Sequence, residues 1–475
     1  MSDRAAARRV GGMGILLLGL TSCASVDLRA GFSEVSAAVQ ERSATSIAWH
    51  DGTELDREAG EKLRSLLQRK LTADDAVQIT MLNNRELQAI YTELGVAQAD
   101  LVQAGLFRNP IFDAAVLFPL SGVRPDLQLS VVVGFLDALY VPLRKRVAAA
   151  RFEEAKLRVT GAVLDFAGQV RRTFYDHQGN EQGLELRRTV VQALTASLDV
   201  SRRLHEAGNI TDLDLARDRA LTEASRLALR SAEATARQSR EELNDLMGLW
   251  GEDTAWEIDG RLPDLPAEPL QENGIERTAV ARSIDLANAA QRIIGAGQQL
   301  GYDRATALIP AMELGVEGER EEGWKVGPVL SVPIPLFDQG QARVGRAAAE
   351  LRRAQQEYHA LAVRIRSTAR AIQERMRGAQ DRARYYRDIV LPLHERIVNE
   401  AQLQYNAMQI GIVQVLRDRE RQIETGVAYV EALREYWLAH ADLALISSGR
   451  LPVARRLRMG AAGEKGKDKE GVNGH

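Results

Sequence analysis

The sequence has little of what enzymes and metal proteins use. Cys23 is the only cysteine among 475 residues, so no disulfide can form within the chain. No two of the seven histidines lie three or four residues apart, which leaves no helical pair of metal ligands. No glycine-rich phosphate loop, nucleophile elbow or cysteine cluster occurs. We therefore predict no enzymatic activity, no bound metal and no cofactor.

Aromatic residues and long apolar runs are also scarce. Aromatics make up 5% of the chain, and no run of 18 or more apolar residues occurs, so no membrane-spanning helix is predicted. The net charge of −3 is spread over mixed signs and does not indicate nucleic acid as a partner. Ala, Arg, Glu, Leu and Gln dominate long stretches, a composition typical of long helices and helical barrels.

The N-terminus has the pattern of an export signal. Three arginines precede an apolar stretch from Gly11 to Leu20, which is too short to span a bilayer. Leu20-Thr21-Ser22-Cys23 follows and resembles a bacterial lipobox. Residues 1–22 are then a lipoprotein signal peptide, Cys23 is acylated, and Ala24 after it favours the outer membrane. The alternative is a signal peptide beside an unmodified cysteine.

The chain repeats itself at a spacing of 200 residues. Residues 205–219 align with residues 405–419. The identical pairs are Ala207/Ala407, Ile210/Ile410, Arg217/Arg417, Asp218/Asp418 and Arg219/Arg419. A period this long exceeds that of solenoid repeats. The chain is therefore predicted to be two copies of one long unit.

This duplication predicts a domain plan. In order, it comprises the signal peptide (1–22), an N-terminal arm (23–70), a first repeat (71–250), a proline-containing linker (251–273), a second repeat (274–450) and a disordered tail (451–475). Each repeat is predicted to contain a helix, a β-hairpin, a long helix and a return helix.

Apolar positions at helical spacing predict the helices. They are expected at about 72–105, 142–206, 212–247, 274–301, 340–406 and 411–447, with a kink at Pro392. Thr72 is the expected N-cap of the first, and Thr211 or Asp212 caps the return helix after Gly208. The 142–206 helix would be about 100 Å long at 1.5 Å per residue. The many Asp and Glu residues on the helices are interpreted as solvated faces.

Four segments alternate as strands do: 110–118, 126–134, 309–317 and 324–333. In the third, Met312, Leu314 and Val316 alternate with Ala311, Glu313, Gly315 and Glu317. About nine residues match the height of a tilted transmembrane strand, and one apolar face fits lipid contact. The alternative is ordinary hairpins on a core in water. Four strands cannot close a barrel, so a membrane sheet would have to oligomerise to cover its edges.

Several segments together carry a family resemblance. They are Leu-Thr-Ala-Asp-Asp-Ala-Val at 71–77, Asn-Asn-Arg-Glu-Leu at 83–87, Ala-Gly-Leu-Phe-Arg-Asn-Pro at 104–110, Pro-Ile-Pro-Leu-Phe-Asp-Gln-Gly at 333–340 and the duplicated tip. Over residues 71–450 the chain resembles the outer-membrane efflux proteins, the TolC-like family. The resemblance implies a mainly helical fold and a trimer whose chains each give four transmembrane strands to one twelve-stranded barrel. It also implies a periplasmic barrel of coiled-coil helix pairs.

The resemblance implies a function as well. Such a chain is the passive exit duct of a tripartite efflux or export system, lies in outer-membrane lipid and works with an inner-membrane pump. A periplasmic adaptor would open it by docking at the hairpin tips. Those tips are Ala207, Gly208, Asn209 and Ile210, and Met408, Gln409, Ile410 and Gly411. The alternative is a structural periplasmic spacer without a pore.

One position departs from the family pattern. Many relatives have glycine where Met408 stands, and here Gly411 comes three places later. This variant resembles the branch that works with heavy-metal resistance-nodulation-division pumps. The sequence leaves open the transported substrate (metal, drug or other), the identity of pump and adaptor, and the gating residues.

Overall fold

A computed structural model describes residues 25–50, 52, 54–118, 125–266, 274–308, 312–320 and 323–452. Cys23 and the predicted tail beyond residue 452 lie outside this part of the chain. The fold divides into two compact units, each built from both repeats. Of the described residues, those within 25–31, 92–155 and 294–351 belong to the first unit, and those within 32–91, 156–293 and 352–452 belong to the second.

The first unit contains a four-stranded antiparallel sheet. Its strands are β1 (Ile111–Leu117), β2 (Asp126–Gly134), β3 (Glu313–Arg320) and β4 (Trp324–Ser331), in the order β1-β2-β3-β4. The central pair, β2 and β3, joins the two repeats directly. All four strands were predicted. β3 extends to Arg320, three residues beyond its predicted end.

Helices make up most of the described chain. In order they are α1 (Phe32–Ser43), α2 (Glu54–Leu67), α3 (Ala73–Asn83), α4 (Arg85–Gly105), α5 (Asp137–Glu206), α6 (Asp212–Met247), α7 (Ile275–Ala281), α8 (Ile284–Leu308), α9 (Gln341–Tyr385), α10 (Leu391–Asn406) and α11 (Ile412–Ser447). A short 3₁₀ turn covers Gly251–Thr254. The long helix and the return helix of each repeat confirm the sequence pattern. Within the described ranges, no helix combines the length and the apolar content that crossing a membrane requires.

The expected helix at 72–105 is in fact two helices, because Asn84 leaves the helical conformation with ψ of 121°. The Asn84 side chain accepts the Leu87 N–H at the start of α4 and donates to the Leu246 carbonyl at the end of α6. The expected helix at 274–301 breaks in the same way before α8, where the Ser283 hydroxyl accepts the Leu286 N–H. Both breaks replace helical hydrogen bonds with side-chain caps.

The segment predicted to be an N-terminal arm (23–70) contains α1 and α2. In the second unit Phe32 packs edge-on against Trp49 and Tyr91, with ring centroids 5.3 Å apart in both pairs. Lys156 of α5 pairs with Glu34 of α1. These helices were missed because they are short and depend on contacts with distant residues.

The kink expected at Pro392 takes the form of a widened turn. Tyr386–Val390 forms a π turn, and Pro392 lies in the first turn of α10 that follows. Proline lacks an N–H and its ring clashes with the carbonyl four residues earlier, here that of Asp388. A single π turn removes this clash without ending the helix.

The second unit has its core between α5, α9 and α11. Met376, Ala379 and Ala383 of α9 pack with Leu433 and Tyr436 of α11, all of them buried. A glycine in α5 lets α5 and α11 pack closely without displacing the Leu445 side chain. A Cβ at Gly168 would lie 2.7 Å from Leu445 Cδ2.

One carboxylate on these helices contradicts the expectation that they are all solvated. Asp442 of α11 is buried and receives Arg172 of α5 at 2.8 Å and Arg375 of α9. A buried carboxylate needs such partners because leaving it unpaired costs several kcal/mol. Asp442 therefore ties the three core helices together.

Candidate functional site

The register of the sheet separates charge onto one face. Asp113 lies opposite Ser130, Gln128 opposite Glu319, and Glu319 opposite Lys325. Since side chains alternate along a strand, residues in register share a face. The charged members of this face are Asp113, Asp126, Glu313, Glu317, Glu319 and Lys325. It thus carries five carboxylates and one ammonium group, and only Arg320 among the charged strand residues lies on the other face.

The opposite face of the sheet is apolar and uncovered. Its members include Phe112, Val116, Leu127, Leu129, Val131, Val133, Leu314, Val316, Trp324, Val326 and Leu330. Leu314 is 51% exposed and Val326 is 70% exposed. A contiguous apolar surface of this kind marks a lipid or protein contact. The alternation predicted for the third and fourth strands is confirmed.

Both outer edges of the sheet are open. Within the described residues β1 pairs only with β2, and β4 pairs only with β3. The outer N–H and C=O groups of these strands are free to bond with another strand. Open edges and an open apolar face together indicate that this sheet is part of a larger one.

The run at 333–340 forms the turn from β4 to α9. Gly340 has φ of +73°, and a Cβ there would lie 2.7 Å from the Cβ of Ala307. Asp338 Oδ1 accepts the Gly340 N–H at 2.8 Å and fixes the turn. Glycine is therefore required at the end of this motif by both conformation and space.

The first hairpin tip joins α5 to α6. Gly208 has φ of +74°, its N–H bonds to the His205 carbonyl at 2.8 Å, and the Asn209 N–H bonds to the Leu204 carbonyl at 2.8 Å. This pair of bonds is the Schellman end of a helix. Thr211 is the N-cap of α6, and it forms a reciprocal capping box with Asp214.

The second tip repeats the turn with less favourable residues. The Met408 N–H bonds to the Tyr405 carbonyl, and the Gln409 N–H bonds to the Gln404 carbonyl, both at 2.9 Å. Met408 has φ of +57° and its side chain is 93% exposed. Gly411 is the N-cap of α11 and gives no side-chain bond. The second tip thus has a strained methionine and an uncapped return helix where the first has glycine and a capping box.

All eight predicted tip residues lie in these two turns or at their ends. Ala207, Gly208, Asn209 and Ile210 connect α5 to α6, and Met408, Gln409, Ile410 and Gly411 connect α10 to α11. Six of them are exposed, while Ile210 and Ile410 are half-buried. Each tip therefore exposes backbone and small or flexible side chains.

Two buried aspartates lie just inside the tips and were not singled out from the sequence. Asp218 accepts a 2.5 Å hydrogen bond from the Ser201 hydroxyl, and Arg417 Nη2 lies 3.9 Å from its Oδ1. Asp418, the equivalent in the second repeat, accepts from the Gln414 side chain at 3.3 and 3.2 Å. The duplicated Arg-Asp-Arg sequence was the available signal, but it was used only to recognise the repeat.

A second missed group is His177, which is buried between α5 and α6. Its Nδ1 lies 2.8 Å from the Ser239 hydroxyl, and that hydroxyl donates to the Ala236 carbonyl. Nδ1 must then carry the proton, and Nε2 finds no hydrogen-bond partner among the described residues. Burial, together with Arg240, lowers the pKa of His177 to about 4. The ring is therefore neutral and serves packing.

Among the described residues, no three His, Cys, Asp or Glu side chains are placed to hold a metal ion. The functional features of this part of the chain are thus two sheet faces, two strand edges and two hairpin tips.

Known proteins resemble this chain in sequence and in fold. No family model matches the sequence. The chain is 22% identical over 377 residues to the cobalt-zinc-cadmium resistance protein CzcC of Cupriavidus metallidurans, covering 78% of this chain and 88% of the relative.

Solved structures share the fold at low sequence identity. A structure of CusC, described for transmembrane channel formation, has a TM-score of 0.63 at 13% identity, covering 80% of this chain and 92% of that one. The outer membrane channel CmeC of Campylobacter jejuni has a TM-score of 0.62 at 15% identity, covering 87% and 93%. The resemblance drawn from the sequence is confirmed: this chain has the fold of the TolC-like outer-membrane efflux channels.

Proposed function

We propose that this chain is the outer-membrane exit duct of a tripartite efflux system. Three copies would close a twelve-stranded barrel, and substrate would pass passively from periplasm to exterior. An inner-membrane pump would supply the energy. The relationship to CzcC and the fold shared with outer membrane channels support this function.

The observation that carries the proposal is the two-faced, open-edged sheet. Its apolar face suits lipid, and its acidic face suits a water-filled lumen. Four strands are too few for a lumen, so β1 of one copy would pair with β4 of the next. Three chains would give twelve strands without a free edge.

The proposal includes docking of a periplasmic adaptor at the hairpin tips. The exposed turns at 207–210 and 408–411 let a partner approach the backbone closely. Adaptor contact would shift an equilibrium between closed and open tips, because a ligand favours the state it binds better.

The proposal also includes a lipid anchor at Cys23, on the sequence argument alone. Acylation would fix the N-terminus to the outer membrane, with a large periplasmic part. Replacing Cys23 with Ser should abolish incorporation of labelled palmitate. Undiminished labelling would contradict the assignment of the anchor and leave the channel function untouched.

Divalent metal cations are the first substrates to test. The relative CzcC is named for resistance to cobalt, zinc and cadmium. The acidic face of the sheet suits cations more than anions. Deleting the gene should then lower tolerance to these three metals.

The central experiment labels β3 from the lipid phase. Cysteine would replace Leu314, which is on the apolar face, and separately Glu313, which is on the acidic face. A lipid-phase thiol reagent should label Leu314→Cys, while a small water-soluble reagent entering the lumen should label Glu313→Cys. The two neighbours are matched in strand and depth.

Equal labelling of both positions by the water-soluble reagent, with no lipid-phase labelling, would contradict the duct. That outcome would favour the alternative of a periplasmic spacer whose strands stay in water. Negative-stain images of the detergent-extracted protein give a second check, because a duct requires threefold particles.

A further inference from the structure

Within one chain, the two repeats contact each other just inside the tips. Arg417 of the second repeat lies 3.9 Å from Asp218 of the first. Farther along, Ile423 of α11 packs in one apolar cluster with Val190 and Leu194 of α5. One face of the second repeat therefore covers one face of the first.

The duplicated chain has a second pair of equivalent faces, and both are uncovered. On α11 the covered positions are Glu420, Ile423, Val427 and Val430, which are buried or half-buried. The equivalent positions of α6 are Ala220, Glu223, Leu227 and Arg230, and all four are exposed. Leu227 is 70% exposed, although a solvated helix surface gains no stability from an apolar side chain at this position.

The matching face of the second repeat is open in the same way. On α5, Ser197 is buried. Its equivalent on α10 is Ile397, which is exposed, as is Leu393 one turn before it. Two apolar side chains one turn apart are thus exposed on α10, where the equivalent residues of α5, Ala193 and Ser197, are half-buried or buried.

Asp418 and Arg217, the equivalents of Asp218 and Arg417, differ from them in their partners. Asp418 is only 7% exposed, and in the described part of the chain no Lys, Arg or His reaches it within 4 Å. Its one hydrogen-bond partner is the neutral amide of Gln414. Arg217, the equivalent of Arg417, has a 62% exposed side chain 3.5 Å from Asp214. Asp218 and Arg417 lie close to each other within one chain, whereas their equivalents do not: Asp418 is buried without a cation, and Arg217 is exposed.

We infer that Arg217 of one copy pairs with Asp418 of the next, and that the open face of α6 covers the open face of α10 between copies. The occupant of both faces is thus a second copy of this chain. Such a contact is heterologous, and repeating it closes a ring in which internal and intersubunit contacts alternate. The inference rests on the proposed function, because it requires the ring of three.

Cross-linking distinguishes the two kinds of contact. Cysteines would replace Arg217 and Asp418 together in the full chain, and a short bifunctional maleimide would be added to the membranes. The matched control carries Arg417→Cys with Asp218→Cys, the equivalent pair within one chain. Single variants, which retain Cys23 as all the proteins do, report reaction through other thiols.

The intersubunit pair should give covalent dimers and trimers on denaturing gels. The control pair should stay at the mobility of one chain. Monomer alone from the intersubunit pair, in a protein that is still trimeric by native mass measurement, would overturn this inference and leave the duct intact. A protein that is monomeric before cross-linking would overturn both.

Charge reversal tests whether the pair stabilises assembly. Arg217→Asp and Asp418→Arg should each lower the temperature at which the trimer dissociates in mild detergent. The double variant restores opposite charges across each interface, and should recover most of the loss. A double variant no more stable than the worse single variant would contradict pairing, because two unrelated defects add.

Discussion

At the scale of single residues, the two tips form a natural pair for comparison. Both turns hold one residue in the left-handed conformation, which costs a non-glycine residue about 1 kcal/mol or more. Gly208→Ala meets nothing within 4 Å of the added Cβ, so it should destabilise the first tip by about 1 kcal/mol through backbone strain alone. Faster hydrogen exchange of the tip amides would record this.

The reciprocal change should act in the other direction. Met408→Gly removes the strain at φ of +57°, although the greater freedom of glycine in the unfolded chain offsets part of the gain. We expect hydrogen exchange of the second-tip amides to slow after Met408→Gly. The factor should be smaller than the factor by which Gly208→Ala speeds exchange at the first tip. If exchange quickened after Met408→Gly, contacts of the methionine side chain would have to outweigh its backbone strain.

His177 should make stability depend on pH. Its folded pKa of about 4 lies below the ordinary value of 6.5, so the unfolded chain binds a proton more readily. The contribution of neutral His177 to the free energy of unfolding is complete above about pH 6.5 and is lost as pH falls towards 4. Over that window it amounts to about 3 kcal/mol at most.

Thermal unfolding midpoints measured between about pH 4 and pH 6.5 would test this contribution of His177 to stability. His177→Gln should be less sensitive to acid than the wild type, although less stable at neutral pH because a packed ring is lost. An unchanged slope of midpoint against pH would assign the acid sensitivity to other groups.

Residue-level features were predictable where backbone chemistry decides them. Gly208 could be assigned as the helix stop and the N-cap narrowed to Thr211 or Asp212, because positive φ and a side-chain acceptor each favour few residue types. Asp442 and His177 could not be distinguished from surface residues, since their burial depends on helices that are distant in sequence. Met408 was recognised as unusual, but its strain required the backbone angles.

At the scale of elements, the sheet gives a prediction about ions. If the acidic face lines the lumen, the pore should prefer cations, because its five carboxylates outnumber its one ammonium group. Glu317→Gln with Glu319→Gln should reduce that preference. The zero-current potential across a planar bilayer with a salt gradient measures it.

Arg320 supplies the control for this experiment. It belongs to the same strand but lies on the opposite face. Arg320→Gln should leave the ion preference unchanged. A shift as large as that of the double glutamate variant would mean that the faces are assigned the wrong way round.

Strands and long helices were predictable because their periods of 2 and 3.6 residues recur over many positions. The strand faces followed directly, as Glu313 and Leu314 illustrate. The breaks at Asn84 and Ser283 did not follow, because hydrogen bonds to other elements decide them. The helices α1 and α2 were missed for the same reason, because contacts with distant residues stabilise them and their own sequence pattern is weak.

At the scale of the whole molecule, the tips give the prediction about partners. Asn209→Trp with Gln409→Trp adds bulk to both exposed turns without disturbing the left-handed residues beside them. If the adaptor docks there, the double variant should lose metal tolerance while remaining trimeric. Tolerance assays and native mass measurement together test this.

The control places the same bulk on helix surfaces near the tips. Arg219→Trp with Arg419→Trp changes equivalent exposed positions beyond the turns. Full tolerance in this control, with loss in the tip variant, would locate docking at the turns. Full tolerance in both would remove the tips from the docking surface.

The widened turn at Tyr386–Val390 makes the two hairpins mechanically unequal. The long helix of the first hairpin runs unbroken for 70 residues, whereas its counterpart is interrupted 18 residues before Met408. A π turn interrupts the regular i→i+4 hydrogen-bond ladder, and such interruptions are among the places where helices kink. Force applied at the tips would therefore bend the second hairpin at this turn, while the first hairpin stays straight. The second repeat would then be the flexible part of each chain and the first the rigid part.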